Sequence, residues 1–242
     1  MIMLSIIIPT LNEEKYLPLL LDSIKKQSFQ EDYEIIVADA GSKDKTVEIA
    51  VNSGCRVIAG GLPPKGRNEG ARAARGNSLL FLDADVILPE GFLSKLLEKF
   101  EEKDLDMSST ALEVISQKKI YKLGSALFNF YFKLNQRFFP CAGGFCLLVK
   151  KEMHQRLKGF DERIKVGEDF DYVRRAKKIS NFYFFDSLKF LISPRRFEKE
   201  GRIRTFIKYL IIEFYQIVFG SVKSDIFKYR FGHYSKGRKK RV

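Results

Sequence analysis

The chain is poor in what several functional classes require. Its 242 residues include two histidines and three cysteines; two imidazoles cannot build a histidine-rich metal centre, and three thiols cannot all pair. Cys141 and Cys146 bracket "AGGF" without a second pair of that kind, which argues against zinc and for reduced, buried thiols in a cytoplasmic protein. No G-x-G-x-x-G follows the first apolar run and no G-x-x-x-x-G-K-[ST] occurs, so the two commonest phosphate-cradling loops are missing. Internal repeats and low-complexity linkers are absent too. Nor is there an uninterrupted apolar span: "FIKYLIIEFYQIVFG", Phe206 to Gly220, is broken by Lys208, Glu213 and Gln216, and a charge at the bilayer centre costs roughly 2.5 to 3.5 kcal/mol on an insertion scale. Met1 to Leu11 lacks a basic leader and soon meets Pro9 and Asn12, which fits a first strand rather than a signal peptide.

What is present describes a folded catalytic domain with a short appendage. A hydrophobic fraction of 45% beside 30% charged residues gives enough Ile, Leu and Phe for a core and enough charge for solubility. The soft boundary falls near Glu200, separating residues 1–200 from an apolar helix and basic tail over 201–242. The formal charge is +13, and Lys223 to Val242 holds eight Lys or Arg against the single acid Asp225. Such a terminus suits lipid headgroups or another anion, or is a solvated tail.

Short strand-like runs alternate with helical patterns. "SIIIPT" (Ser5 to Thr10), "YEIIVADA" (Tyr33 to Ala40), "CRVIAG" (Cys55 to Gly60) and "SLLFLDAD" (Ser78 to Asp85) read as strands. Leu17, Leu20, Leu21 and Ile24 recur at helical spacing, Thr46 to Asn52 forms a second helix closed by Gly54, and Asn68 to Arg75 a third closed by Gly76. This alternation predicts an α/β protein whose parallel sheet is covered on both faces. Further on, Met107 to Ile115 resembles an exposed strand, and Ile120 to Phe139 an aromatic-rich helix. Then come a Gly-rich turn and strand, a helix from about Asp169, a strand over "FYFFDSLKFLIS", and a long apolar helix from Arg202 to Val222. His154 reads as a surface residue and His233 as part of the tail.

Polar residues gather where the strands end: Thr10, Asn12 and Glu13, then Asp39 and Ser42, then Asp83 and Asp85. The carboxyl ends of strands in an open parallel sheet line the ligand crevice. On an extended segment, side chains two apart share a face, so Asp83 and Asp85 can address one ligand. Hard carboxylate oxygens suit Mg²⁺ or Mn²⁺ together with phosphate oxygens.

"SIIIPTLNEE", "VADAGSKDKT", "GRNEGARAARGNSLLFLDADVILP" and "GEDFDYVRRA", in this order and spacing, resemble glycosyltransferase family 2, over roughly residues 4 to 200. The resemblance implies the GT-A fold, a Rossmann-like and mostly parallel sheet with helices on both faces. It implies transfer of sugar from a UDP-, GDP- or dTDP-linked donor with inversion at the anomeric carbon, using Mn²⁺ or Mg²⁺. Carried over by position, Pro9, Thr10, Asn12, Glu13, Asp39, Ser42, Arg67 and Asp83 would line the nucleotide site. Asp83-Ala84-Asp85 would be the D-x-D element, with Asp85 and then Asp83 on the metal. Asp169 would be the general base, with Glu168 the second choice. Arg195 and Arg196 would grip the diphosphate, and Gly143 and Gly144 would leave room for the acceptor. The Q-x-x-R-W pattern of processive synthases is missing, Phe197 standing where tryptophan is expected, which favours transfer of a single sugar.

The acceptor expected is lipid-linked or membrane-proximal, or another glycan, with peripheral contact to the cytosolic face of a membrane through the last helix and tail. Two alternatives stand beside this reading. A sugar nucleotidyltransferase shares the sheet and acidic ligands but needs a Gly-rich loop that "PTLNEE" does not supply. A nucleic-acid-binding module explains the charge but leaves Asp39, Asp83, Asp85 and Asp169 without purpose, so no nucleic acid is expected as a partner.

Overall fold

The computed structural model describes residues 4–29, 31–136, 143–201, 207–208, 211–212, 214–216 and 220–223. Cys141, Arg202, Arg204, His233 and the basic tail beyond Lys223 lie outside the described residues.

The strands are β1 (Leu4–Thr10), β2 (Tyr33–Asp39), β3 (Arg56–Ala59), β4 (Ser78–Leu82), β5 (Val86–Ile87), β6 (Met107–Val114), β7 (Cys146–Lys150) and β8 (Phe182–Ile192). The helices are α1 (Leu17–Lys25), α2 (Thr46–Asn52), α3 (Pro63–Ala73), α4 (Phe92–Glu102), α5 (Lys119–Asn135), α6 (Lys151–Arg156), α7 (Glu168–Lys177) and α8 (Arg195–Glu200). One eight-stranded sheet runs in the order β3-β2-β1-β4-β7-β6-β8-β5.

A strand covered on both faces must be apolar wherever its side chains enter a core layer, and β1 shows why; its buried polar residues, Ser5 and Thr10, are bonded to Glu34 and Asp39. Ile6 and Ile8 point into one core layer with Leu80, Leu82 and Leu148, closed by Leu17, Leu20 and Ile24 of α1 and by Phe92, Leu96 and Phe100 of α4. Ile7 points the other way, with Leu79, Phe81 and Val149, into a layer closed by Ala71 of α3, Met153 of α6 and Tyr172 and Val173 of α7. Continuous apolar runs in the sequence are therefore two interleaved period-2 patterns.

The sheet is mixed rather than uniformly parallel. β1 pairs in parallel with β2 and β4, but β7 inserts antiparallel between β4 and β6, and β5 runs antiparallel to β8. An apolar run has no direction, so periodicity is blind to this. β6, expected as an exposed strand, is almost wholly buried between β7 and β8. Two of its polar residues find partners inside: Ser109 Oγ donates to the Cys146 carbonyl at 2.9 Å, and Thr110 contacts the Cys146 thiol, while the buried Ser108 hydroxyl has no partner among the described residues. α3 starts at Pro63 rather than Asn68; prolines suit a first turn, and Gly66 and Gly70 blur its apolar period. Cys55 and Cys146 are buried free thiols.

His154, expected at the surface, is buried, and its Nδ1 lies 2.8 Å from the Tyr172 hydroxyl. Burial, then the charges of Arg175 and Arg72, lower its pKa to about 4. In the last part of the chain, Ile212 and Val222 pack with Val166, and Tyr215 lies against them. Among the described residues no helix is long and apolar enough to cross a membrane.

Candidate active site

The topology gathers four separate segments at one edge of the sheet. Thr10 pairs with Asp39 at the carboxyl ends of β1 and β2. Because β7 is antiparallel to β4, with Leu82 opposite Cys146, the turn Gly143-Gly144-Phe145 arrives where β4 departs. The Asp83 amide donates to the Phe145 carbonyl at 3.4 Å. β8 delivers the fourth segment: Ile192 pairs with Val86, and the Ser193 amide donates to the Asp85 carbonyl at 3.1 Å.

Asp39 builds the first wall. Its Oδ1 accepts the amides of Gly41 and Ser42, and its Oδ2 accepts the hydroxyls of Thr10 and Ser42. A carboxylate has about four lone-pair sites, so contact between Asp39 and a ligand requires one hydroxyl to turn away. Asn12, at φ 57°, receives the Lys43 amide and donates its own amide to Ser42 Oγ. That bonding locks the β1 and β2 loops together. Pro9, within β1, is buried beneath them.

The D-x-D acids lie in a turn past β4, not on the strand, and each meets a different arginine. Arg67 Nη2 donates to Asp83 Oδ1 at 2.9 Å and Nη1 to Glu168 Oε1 at 2.8 Å. Arg195 Nε donates to Asp85 Oδ2 at 2.8 Å, while its two terminal nitrogens grip both oxygens of Glu13 at 2.5 and 2.8 Å. Its guanidinium also sits 4.5 Å from the centre of the Tyr16 ring. Glu13 and Asp85 have raised pKa values, chiefly from burial, which outweighs the lowering influence of Arg195; the charge of Asp83 adds to the rise. Arg196 is near enough to lower Asp85.

Asp169 occupies the first turn of α7 and closes the group. Its Oδ2 accepts the Gly144 amide at 2.6 Å and its Oδ1 the Phe170 amide at 2.9 Å, and the Gly144 carbonyl in turn accepts Arg67 Nη2 at 3.2 Å. Gly144 is required there, because a Cβ would strike the Arg67 guanidinium. Gly143 is buried one residue earlier, so the turn supports the site as much as it leaves space. Burial and then the charge of Glu168 raise the Asp169 pKa well above the ordinary carboxylate range. Asp171 is engaged outside the cluster, by Arg175 and by Ser221.

Five carboxyl groups (Glu13, Asp83, Asp85, Glu168, Asp169) thus face the guanidiniums of Arg67 and Arg195, which bond to four of them directly, Arg67 also lying near the fifth, Asp169. Among the described residues no set of three or more acidic, His or Cys groups is arranged to hold a metal by itself. Asp83 and Asp85 each give one oxygen to an arginine, and carboxylate oxygens are the donor type that a hard dication completing its shell with phosphate oxygens and water would take.

Two features of the site are not foreseen by sequence reasoning, the Arg67 to Glu168 bond and the hold of the last segment on α7. Gln216 Nε2 donates to the Val166 and Gly167 carbonyls at 3.1 and 3.0 Å, and the Lys165 amide donates to the Val222 carbonyl. The second has a signal in the sequence: Gln216 is a polar residue inside an apolar run, and such residues need an internal partner.

Comparison with known proteins agrees with this architecture. Residues 5–156, more than half of the chain, match Glycosyl transferase family 2. The PGL/p-HBAD biosynthesis glycosyltransferase of Mycobacterium bovis (strain BCG / Pasteur 1173P2) is 44% identical over 96 residues, covering 36% of this chain and 37% of that protein. Among solved structures, S. aureus TarS 1-349 in complex with UDP-GlcNAc has a TM-score of 0.65 at 19% identity, covering 89% of this chain and 73% of that one. The mannosyltransferase PcManGT from Pyrobaculum calidifontis, in complex with GDP-Man and Mn²⁺, has a TM-score of 0.70 at 19% identity, covering 93% and 66%. At these identities the likeness establishes the GT-A fold. This chain spans about a third of the length of the curated relatives it matches. By motif order, fold and matched span, the chain belongs to glycosyltransferase family 2.

Proposed function

We propose that this chain is an inverting glycosyltransferase that moves a single sugar from a nucleoside-diphosphate donor to a lipid-linked or membrane-proximal acceptor on the cytosolic face of a membrane. The observation that carries the proposal is the pair of hydrogen bonds that Arg67 donates, one to Asp83 of the D-x-D turn and one to Glu168 beside Asp169. Two acidic elements 85 residues apart in sequence become one reaction centre.

The chain's residues divide the work. The Thr10, Asn12, Asp39 and Ser42 wall holds the nucleoside, and Arg195 with Arg196 faces the diphosphate. Asp85, with Asp83, would hold Mg²⁺ or Mn²⁺, which when bound offsets charge on the departing diphosphate. Asp169 accepts the proton of an acceptor hydroxyl as that oxygen attacks the face of the sugar opposite the leaving group. Its raised pKa suits a base that must let the proton go again.

Thermal-shift titration with UDP-, GDP- and dTDP-sugars, with and without Mn²⁺, tests the donor class, because a ligand that binds only the native state raises the melting temperature. One donor should stabilise the wild type in Mn²⁺ and lose most of its effect after chelation or in Asp85→Asn. Equal stabilisation by metal-free and metal-loaded samples would reject the assignment of Asp85. The acceptor is tested with Asp169→Asn: transfer to a hydroxyl should be abolished, while transfer to a phosphate oxygen, already ionised, should persist. Equal loss on both would remove that role from Asp169.

A further inference from the structure

Helix α5 carries an apolar face that nothing in the described structure covers. Ile120, Leu123, Leu127, Phe130 and Leu134 are 54% to 64% exposed, and their spacing of three and four residues places them in one stripe along the helix. The opposite face is fully used: Tyr121, Ser125 and Phe132 are buried, and Phe128 and Phe132 pack on each other at 4.1 Å. The stripe is thus a second apolar face and not a frayed core. Single exposed leucines are ordinary, whereas five in line call for a partner.

Charge tells which partner. Between Glu113 and Glu152 the sequence has no acid and seven Lys or Arg. Lys119, Lys122 and Lys133 share one flank of the stripe at helical spacing, with Lys118 at the helix start. Lys133 reaches Asp186 at 2.7 Å, while Lys118, Lys119 and Lys122 are exposed. A twofold pairing of α5 with a second copy would set lysine against lysine, and α5 itself carries no acid to offset Lys119 and Lys122. An anionic bilayer meets both demands, since it accepts apolar side chains at shallow depth and attracts the lysines beside them. Ile207, Ile211 and Phe214, at helical spacing in the last segment, are also about half exposed or more.

We propose that α5 is a docking surface for a membrane containing anionic lipid. The helix is one side chain removed from the reaction centre: Phe128 lies 6.3 Å from Phe145, the neighbour of Gly144, and Phe132 lies 6.3 Å from Phe170, the neighbour of Asp169. A bilayer against the stripe, on the opposite face of α5, is thereby placed one helix width from the acceptor side. That last placement rests on the transferase reading above; the binding itself does not.

Co-sedimentation of the full chain with vesicles, in the absence of any donor, tests the proposal. Wild type should pellet with phosphatidylcholine vesicles containing about 30% phosphatidylglycerol, and at least tenfold more weakly with phosphatidylcholine alone. The triple variant Leu123→Ser, Leu127→Ser, Phe130→Ser should lose tenfold or more in partition while keeping its melting temperature and its donor-induced shift. Lys119→Gln with Lys122→Gln should weaken binding to the anionic vesicles only. Undiminished binding by the triple variant would overturn the proposal, as would failure of wild type to pellet with either vesicle. A wild-type dimer in light scattering that the triple variant converts to monomer, without vesicle binding, would overturn it too and assign the stripe to self-association. A failed vesicle assay beside an intact donor shift would overturn the docking surface and leave the catalytic reading standing.

Discussion

Asp169 and Gly144 are joined by a 2.6 Å hydrogen bond from the glycine amide to the carboxylate, so the proposed base is held by the turn that precedes β7. The other side of the same glycine, its carbonyl, is held by Arg67. One residue therefore spaces the base from the arginine that touches the D-x-D turn.

Gly144→Ala should lower kcat by at least tenfold and weaken the effect of the donor on melting temperature much less. A methyl group there meets the Arg67 guanidinium, whose side chain is only 3% exposed and tied to Asp83 and Glu168, so that it yields only by loosening those pairs. Breaking the buried pairs of Arg67 outright, as in Arg67→Ala, costs roughly 3 to 5 kcal/mol because Asp83 and Glu168 are left unpaired. Steady-state kinetics and urea unfolding of the two variants distinguish displacement from loss.

The pH dependence of hydroxyl transfer should show an acidic limb above the ordinary carboxylate range. Asp169 must be ionised to accept a proton, and burial followed by Glu168 raises its pKa. Activity accordingly rises with pH through that raised value. In Glu168→Gln the second cause is removed while Arg67 keeps its charge, so the limb should move to lower pH. A limb unmoved in rate profiles of that variant would show that another group titrates.

Arg195→Lys should destabilise the fold although charge is retained. A lysine cannot bond both oxygens of Glu13 and the carboxylate of Asp85 together, as the guanidinium does. The expected loss is about 1 to 3 kcal/mol, measurable by urea unfolding. The pKa values of Glu13 and Asp85, already raised by burial, should climb further. Glu13 and Asp85 titrating at lower pH in NMR spectra of the lysine variant would contradict this.

His154 should make the protein acid-sensitive. Its pKa falls from 6.5 to about 4 on folding, so between those values the unfolded chain binds the extra proton. The stabilising contribution is complete above pH 6.5 and is lost as pH falls towards 4. Its size is about 3 kcal/mol by linkage. The melting-temperature gap between wild type and His154→Phe should narrow across that window. A constant gap would mean that His154 is protonated in the native state.

Much of this molecule is legible in its residues alone. Strand-length apolar runs mark β1, β2 and β4, since a strand covered on both faces is mostly apolar and takes only the few small polar residues whose side chains can be bonded inside. Acids ending such runs mark the site, because Asp83 and Asp85 cannot stay charged and buried without partners. What the chain does not disclose is direction and distance. β7 enters antiparallel and β6 lies in the interior, and neither fact leaves a trace in periodicity. His154 reads as a surface residue because its partner Tyr172 is 18 residues away.

The sequence by itself determined the sheet-forming segments, the acid-rich strand ends and the family. Only the tertiary structure decided which arginine meets which acid. Arg67 serves Asp83 and Glu168, while Arg195 serves Glu13 and Asp85. The physical reason is that an ion pair is fixed by proximity in space, and here proximity comes from an antiparallel insertion and a returning strand that bring together residues up to 182 positions apart.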